Sequence, residues 1–268
     1  MQYKCLSIAG FDGSGGAGLQ ADLKTFSALG CYGMTVLTAL PVQNTMGVRS
    51  CYDIPLAAIR EQLEAIFDDI MPNSIKIGML FRREIVELVA HFLDEHAEGI
   101  PIVLDPVMVA KSGDYLLLPD AVNALKTQLI PLATLITPNL PEALALTAEH
   151  VDMQTQALNI LQLGAKAVLL KGGHQEGHES NDLYLNQNGE SLWLNSPRIN
   201  TRNTHGTGCT LSAAIAAQLA RGQPLKNACR LAKNYLFDAL QAAQYDSVGH
   251  GHGPVHHFHG IWSADENS

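Results

Sequence analysis

The strongest constraint on the fold is an alternation along the chain between short, wholly apolar runs and amphipathic segments with helical spacing. Strands that are apolar on both faces belong to parallel sheets covered by helices on both sides. The pattern predicts one three-layer α/β/α domain over residues 1–268, with a mainly parallel central sheet. Asn188-Gly189, between two strand-like runs, predicts an antiparallel hairpin at one edge. The predicted strands are 5–10, 34–40, 74–79, 100–104, 134–137, 167–170, 183–186 and 192–195, and the predicted helices are 18–29, 56–70, 83–96, 120–132, 141–147, 154–163, 208–220 and 224–243.

Composition excludes several classes of protein. Hydrophobic residues make up 47% of the 268 residues, which is enough for a sizeable core and argues against disorder. The net charge of −9 argues against a nucleic-acid binder. Five widely spaced cysteines without a CxxC pair argue against a disulfide framework. We expect a cytoplasmic protein, because no signal-peptide pattern or apolar run long enough for a membrane span is present.

A glycine-rich loop, Gly13-Ser14-Gly15-Gly16-Ala17-Gly18, follows the first strand and opens a helix. The spacing matches a dinucleotide fingerprint, but that fingerprint requires an acidic residue after the second strand, where this chain has none. Two other interpretations remain open. The loop could simply allow close packing of the helix, or it could let the backbone approach a small ligand, with Asp12 as a candidate ligand contact.

A second glycine pair, Gly206-Thr207-Gly208, stands at the start of a predicted helix and is followed by Cys209. Free amides and the helix dipole make such a site suitable for a phosphoryl group in transfer. Cys209 could then act as a base, since helix N-termini lower thiol pKa values toward neutrality. The alternative is that Cys209 is an inert small residue in a core helix.

Three charged residues follow predicted strands at the edge where ligands bind in open α/β sheets. Asp105 and Glu142 could hold magnesium through water, or could be helix caps or surface acids. Lys171 could reach phosphates, or could be a solvated lysine.

Taken together, these stretches resemble the ribokinase superfamily and, within it, the hydroxymethylpyrimidine/phosphomethylpyrimidine kinases of thiamine biosynthesis. The resemblance covers nearly the whole chain, and many motifs occur in the same order. The stretches that carry it are 14–18, 20–25, 38–39, 43–45, 76–80, Asp105-Pro106-Val107-Met108, Lys111-Ser112-Gly113, Thr137-Pro138-Asn139-Leu140-Pro141-Glu142, Lys171-Gly172-Gly173-His174, Asn203-Thr204-His205-Gly206-Thr207-Gly208-Cys209 and 253–257.

The resemblance implies ATP- and Mg²⁺-dependent phosphorylation of a hydroxymethylpyrimidine, first to the monophosphate and then to the diphosphate, by a homodimer. The roles that it implies for the pyrimidine are hydrogen bonding by Gln43, backbone contact at Gly10, and apolar contact by Met79 and Val107. For catalysis it implies Cys209 as the base and Gly206, Thr207 and Gly208 as the anion hole. For the cofactors it implies ATP contacts at Lys171, Asn139 and Thr207, and magnesium at Asp105 and Glu142.

Two positions depart from the family pattern: Phe11 replaces a usual Ser or Thr, and Gly13 a usual Pro or Ser. These departures concern the substrate pocket. Pyridoxal kinase is an alternative, because a relative of the family with a near-identical architecture phosphorylates pyridoxal, another ring with a hydroxymethyl group, and a non-catalytic pyrimidine-binding protein is another alternative. The histidine-rich segment His250, His252, His256, His257 and His259 could bind metal, but without nearby acids or cysteines we expect a partly ordered C-terminal segment.

Overall fold

A computed structural model describes residues 3–109, 116–173 and 177–262. Its main sheet has eight strands in the order β10-β9-β8-β7-β6-β5-β1-β2, and the six strands from β8 to β2 are joined by parallel pairing. The last two strands form the hairpin expected at one edge, because β9 is antiparallel to both β8 and β10. The mainly parallel α/β sheet is therefore confirmed. The strands are β1 (Lys4–Ala9), β2 (Tyr32–Leu37), β3 (Ala39–Asn44), β4 (Gly47–Asp53), β5 (Ser74–Ile77), β6 (Ile102–Leu104), β7 (Leu135–Ile136), β8 (Ala167–Leu170), β9 (Asp182–Asn186) and β10 (Ser191–Leu194).

Helices cover both faces of the sheet, which explains why its central strands are buried on both faces and mostly apolar. One hydrophobic cluster joins the sheet to α2 through α6, and a second joins it to α1, α7 and α8. The helix α4 continues through a π-helical turn and a 3₁₀ turn, 125–132. The helices are α1 (Gly18–Ala28), α2 (Leu56–Phe67), α3 (Arg83–His96), α4 (Ala121–Ala124), α5 (Leu140–Thr147), α6 (Met153–Leu161), α7 (Thr207–Ala220) and α8 (Leu225–Ala242).

A second, two-stranded sheet was not predicted. The single strand expected over 34–40 is wrong, because β2 ends at Leu37 and β3 leaves the main sheet to pair with β4. The Thr38 hydroxyl donates a hydrogen bond to the Met79 carbonyl, and the Phe11 amide donates one to the Ala39 carbonyl. The backbone leaves the main sheet at this point. The change of direction matters because it carries Gln43, on β3, over the end of the main sheet.

The histidine-rich segment packs more closely than expected. His257 is buried, and its Nε2 lies 3.1 Å from the Thr210 hydroxyl, while the Tyr235 hydroxyl donates to the His257 carbonyl. Burial lowers the pKa of His257 to about 3, so this imidazole is neutral. In the described ranges no group of three or more metal-ligating side chains occurs, and no helix has the length and apolarity required to cross a bilayer.

Candidate active site

The carboxyl ends of the parallel strands border a cavity of about 570 Å³. Parallel strands expose the same end at one edge of a sheet, so residues that are distant in sequence meet there. All but one of the predicted site residues line it: Gly10, Gln43, Met79, Asp105, Val107, Asn139, Glu142, Lys171, Gly206, Thr207, Gly208 and Cys209. The predicted stretch 111–113 and His174 lie outside the described residues.

Asp12 is the exception, and its carboxylate organises the glycine loop. One oxygen accepts from the Ser14 amide and hydroxyl, and the other from the Gly16 and Ala17 amides. Burial works to raise the pKa of Asp12, but the hydrogen bonds from His205 and Ser14 outweigh it and lower the pKa. These bonds direct the carboxylate into its own loop, and the ligand contact expected of Asp12 stays a prediction. The same bonds explain why the GxGxxG spacing is not a phosphate cradle: the loop amides bind the chain's own carboxylate.

The two glycine motifs that the sequence separates by almost 200 positions interlock at this edge. Gly206 has φ +76°, and a Cβ there would lie 1.8 Å from the Gly16 carbonyl oxygen. His205 Nε2 lies 2.8 Å from Asp12 Oδ2, and the His205 amide donates to the Gly253 carbonyl. The start of α7 is thus fixed between the first loop and the C-terminal segment.

The N-terminus of α7 is the place where the sequence predicts an anion site. Gly206 is the N-cap and has no side chain to satisfy the first helical amides, which have no acceptor within the helix. A Cβ on Gly208 would lie 3.3 Å from Asp105 Oδ2 and 3.4 Å from Lys171 Nζ. Glycine therefore leaves room for an anion between these amides and the lysine.

The acidity expected of Cys209 is wrong. Burial raises the pKa of Cys209 to about 11, against the lowering effects of Lys76 and of a hydrogen bond from the Gly18 amide. Asp22 and Asp105 raise it further. Dehydration and nearby carboxylates outweigh the helix N-terminus, so the free thiol is protonated at neutral pH.

Asp105, Lys171 and Glu142 form a buried charged group beside the anion site. Lys171 Nζ lies 3.1 Å from Asp105 Oδ1, which also accepts from the Thr137 hydroxyl. Burial opposes the charge on Lys171, but Asp105 and Glu142 raise its pKa above the ordinary lysine value. Burial raises the pKa of Glu142 to about 7, with Lys171 opposing.

Asn139 and Glu142 also have a structural role. They form a capping box for α5, in which Asn139 Oδ1 accepts from the Glu142 amide and Glu142 Oε2 accepts from the Asn139 amide. The helix-cap alternative therefore applies to Glu142, which also lines the cavity and accepts a further hydrogen bond from the Met108 backbone.

Gln43 forms the polar end of the cavity nearest the first loop. Its Nε2 donates to the Phe11 carbonyl at 3.1 Å, which fixes the direction of the amide. The remaining N–H and the Oε1 atom can donate and accept toward a ring ligand. Met79 and Val107 supply apolar walls. The Phe11 ring lies over Gly13, where a Cβ would be 3.1 Å from it, so glycine at position 13 leaves room for the ring.

Sequence reasoning missed several charged residues at the site. Lys76, in the middle of β5, is fully buried beneath the cavity. At the other end of the cavity, Lys233 Nζ on α8 lies 2.7 Å from Asp182 Oδ2. Leu236 and Phe237 form an apolar wall of the cavity beside this pair. The available signal was a lysine inside an otherwise apolar strand, because a buried charge requires a partner.

Sequence comparison with known proteins identifies the family of this chain. The family model described as phosphomethylpyrimidine kinase matches residues 12–256. The chain belongs to the phosphomethylpyrimidine kinase family. It is 52% identical over 263 residues to a hydroxymethylpyrimidine/phosphomethylpyrimidine kinase of Rhizobium meliloti, which covers 96% of this chain and 97% of the relative.

Two further proteins are similar to this chain over most of its length. A thiamine biosynthesis bifunctional protein of Geobacter sulfurreducens is 47% identical over 256 residues, 94% of this chain and 51% of that protein. The crystal structure of a Bacillus subtilis pyridoxal kinase in an ADP complex superposes with a TM-score of 0.87 at 38% identity, covering 96% of this chain and 98% of the other. The fold of this chain is therefore shared with a pyridoxal kinase.

Proposed function

We propose that this kinase phosphorylates 4-amino-5-hydroxymethyl-2-methylpyrimidine to its monophosphate and then to the diphosphate, with ATP as donor, in thiamine biosynthesis. The observation that carries the proposal is one cavity that joins a fixed amide, an uncapped helix N-terminus and a buried lysine. The amide suits a ring with an amino group beside a ring nitrogen. The helix N-terminus and the lysine suit a phosphoryl group.

The fixed direction of Gln43 gives the site its substrate preference. With one N–H held by the Phe11 carbonyl, the amide presents Oε1 to an amino donor and its second N–H to a ring nitrogen. Gly10 brings the backbone close, because a Cβ there would lie 2.8 Å from the Met79 sulfur. The hydroxymethyl group of such a ring would then point toward Cys209, which takes its proton as general base.

The two transfers differ in what they require. The alcohol must lose a proton as its oxygen attacks phosphorus, so the first transfer benefits from the thiolate of Cys209. The monophosphate presents an oxygen that is already anionic, so the second transfer requires positioning and charge stabilisation only. The amides of Gly208 and Cys209, with Lys171, provide that stabilisation in both.

Asp105 and Glu142 are the side chains that would hold magnesium beside the donor phosphates. Both already accept hydrogen bonds, from Lys171 and from the Asn139 amide, so they suit contact through water. Mg²⁺ commonly keeps several waters and few carboxylates in nucleotide sites. Bound there, it would neutralise charge on the phosphates.

A coupled ATPase assay with magnesium tests the proposal, with the hydroxymethylpyrimidine and pyridoxal offered separately. Turnover of the pyrimidine through to a diphosphate is the expected result. Turnover of pyridoxal alone would favour the second candidate function, pyridoxal kinase. The similarity of this chain to the Bacillus subtilis pyridoxal kinase supports that candidate. Turnover of neither would favour a pyrimidine-binding protein without catalysis.

The assembly, location and domain count expected from the sequence remain predictions. We propose a cytoplasmic homodimer with each chain folded as one domain. The exposed apolar side chains Val42, Met46 and Tyr52 on the two-stranded sheet support association. Light scattering at twice the chain mass, a single unfolding transition and recovery in the cytosolic fraction are the expected results.

A further inference from the structure

A lysine ammonium lies in the interior of the protein directly below the active site. Lys76 is fully buried in β5, and its Nζ lies 2.7 Å from Asp22 Oδ2 on α1. The same oxygen accepts from the Ser7 hydroxyl. The second oxygen, Asp22 Oδ1, is buried and has no hydrogen-bond partner in the described part of the chain. A buried ion pair is costly and weakly stabilising, so its presence calls for a purpose other than stability.

The ammonium head lies where β5 meets the cavity. A Cβ on Gly78 would lie 2.8 Å from Lys76 Nζ, so the strand leaves space for the head between Gly78 and the floor. Lys76 and Cys209 line the same cavity. The charged groups that act on Cys209 are Lys76, Asp22 and Asp105, and Lys76 is the cation among them.

We propose that Lys76 is a positioning residue for the base: its ammonium is the counter-ion of the Cys209 thiolate, and Asp22 holds it in place from the opposite side. The inference rests on the proposed function, in which Cys209 accepts the proton of the substrate alcohol. It adds a residue that acts on the reaction through the base.

The proton balance of the first transfer defines the contribution of Lys76. The alcohol O–H bond breaks as the new O–P bond forms, and the bond from that phosphorus to the ADP oxygen breaks, so that ADP leaves with the electron pair. The proton moves to the sulfur, which leaves a neutral thiol. The thiol returns its proton to solvent before the next turnover. The ammonium stays charged throughout, because Asp22, Cys209 and Asp105 raise the pKa of Lys76 despite its burial. It therefore stabilises the thiolate form before each transfer.

Asp22 and Lys76 act on the thiol with opposite signs, and this contrast is the basis of the test. Lys76 lowers the pKa of Cys209 and Asp22 raises it, on top of the larger effect of burial. Lys76→Met therefore reduces the thiolate fraction and Asp22→Asn increases it. General structural damage has no reason to change the thiol in opposite directions.

The experiment measures alkylation of Cys209 by iodoacetamide as a function of pH, with the site resolved by peptide mass spectrometry. The thiolate is the reacting form, so the rate reports its population. A neighbouring opposite charge shifts a pKa by about 1–3 units, so we expect Lys76→Met to slow alkylation about 10-fold or more, and Asp22→Asn to accelerate it. Lys233→Met removes a different buried ion pair, Lys233–Asp182, and is the control, with no change in Cys209 alkylation expected.

Equal alkylation of Cys209 in wild type and Lys76→Met would overturn the inference. If Lys76→Met does not fold, the comparison is between Asp22→Asn and the double variant Lys76→Met/Asp22→Asn, which leaves no unpaired charge. Slower alkylation in the double variant supports the inference, and equal rates refute it. Equal loss of both transfers in Cys209→Ala would refute the proposed base instead, and leaves the alkylation result unaffected.

Discussion

Replacement of Cys209 by alanine should separate the two phosphoryl transfers. General-base catalysis contributes about 10²–10⁴-fold. With the pKa of Cys209 raised to about 11, roughly one thiol in 10³ is ionised at about pH 8. We therefore expect Cys209→Ala to lower the alcohol transfer about 10²-fold at that pH, at the lower end of the range. Transfer to the monophosphate should change far less, because its nucleophile already carries the charge.

The pH dependence sharpens this expectation. The thiolate population rises about tenfold per pH unit below the pKa, so the wild-type alcohol transfer should rise with the same slope and the alanine variant should lose it. Single-turnover measurements with each acceptor offered alone keep product release out of the rate. Cys51→Ala, on β4 and outside the described lining of the cavity, is the matched control and should retain both activities. Equal losses in both transfers, or a wild-type rate independent of pH, would refute the reasoning.

Three further substitutions have defined outcomes. Gln43→Ala should weaken pyrimidine binding about tenfold or more by calorimetry while ATP binding is retained, since the lost amide contacts belong to the ring; unchanged pyrimidine affinity would remove Gln43 from the substrate site. Gly206→Ala should lower the free energy of unfolding by more than the roughly 1–2 kcal/mol that alanine costs in the left-handed region, because its Cβ would clash with the Gly16 carbonyl. Gly30→Ala is the control, because Gly30 has φ +77° and open space around it. Equal losses of stability in denaturant titrations of the two variants would contradict the clash. Glu142→Gln should flatten the pH dependence of the free energy of unfolding between about pH 4.5 and 7. A carboxyl whose pKa is raised on folding stabilises the folded state below pH 4.5 and loses that contribution as the pH rises through 7. An unchanged pH profile would mean that folding does not raise the pKa of Glu142.

The interlocked loops explain why substitutions at the glycines should affect activity as well as stability. Asp12 fixes the first loop through three backbone amides and binds His205, which precedes the anion site. The amides that receive the phosphoryl group are thus held in place before any ligand arrives. Preorganised donors stabilise developing charge without having to reorient during the reaction.

The sequence by itself determined the α/β class, the hairpin at the sheet edge and the place where several of the cavity-lining residues meet. These follow from local patterns: apolar runs define buried strands, and parallel strands bring their carboxyl ends to one edge, so Asp105, Asn139 and Lys171 had to lie together. The helix start at Gly206 was readable for the same reason, because uncapped amides are a property of a single segment.

The tertiary structure alone decided what each polar group contacts. The Asp12 carboxylate is hydrogen-bonded to its own loop and to His205, 193 positions away. Lys76 is paired with Asp22, 54 positions away. The acidity of Cys209 depends on burial and on charges brought from other elements, which outweigh the local helix terminus. The departure of β3 from the main sheet likewise depends on contacts with Phe11 and Met79. Side-chain pairing and dehydration depend on distances between remote segments, and the order of residues along the chain does not specify those distances.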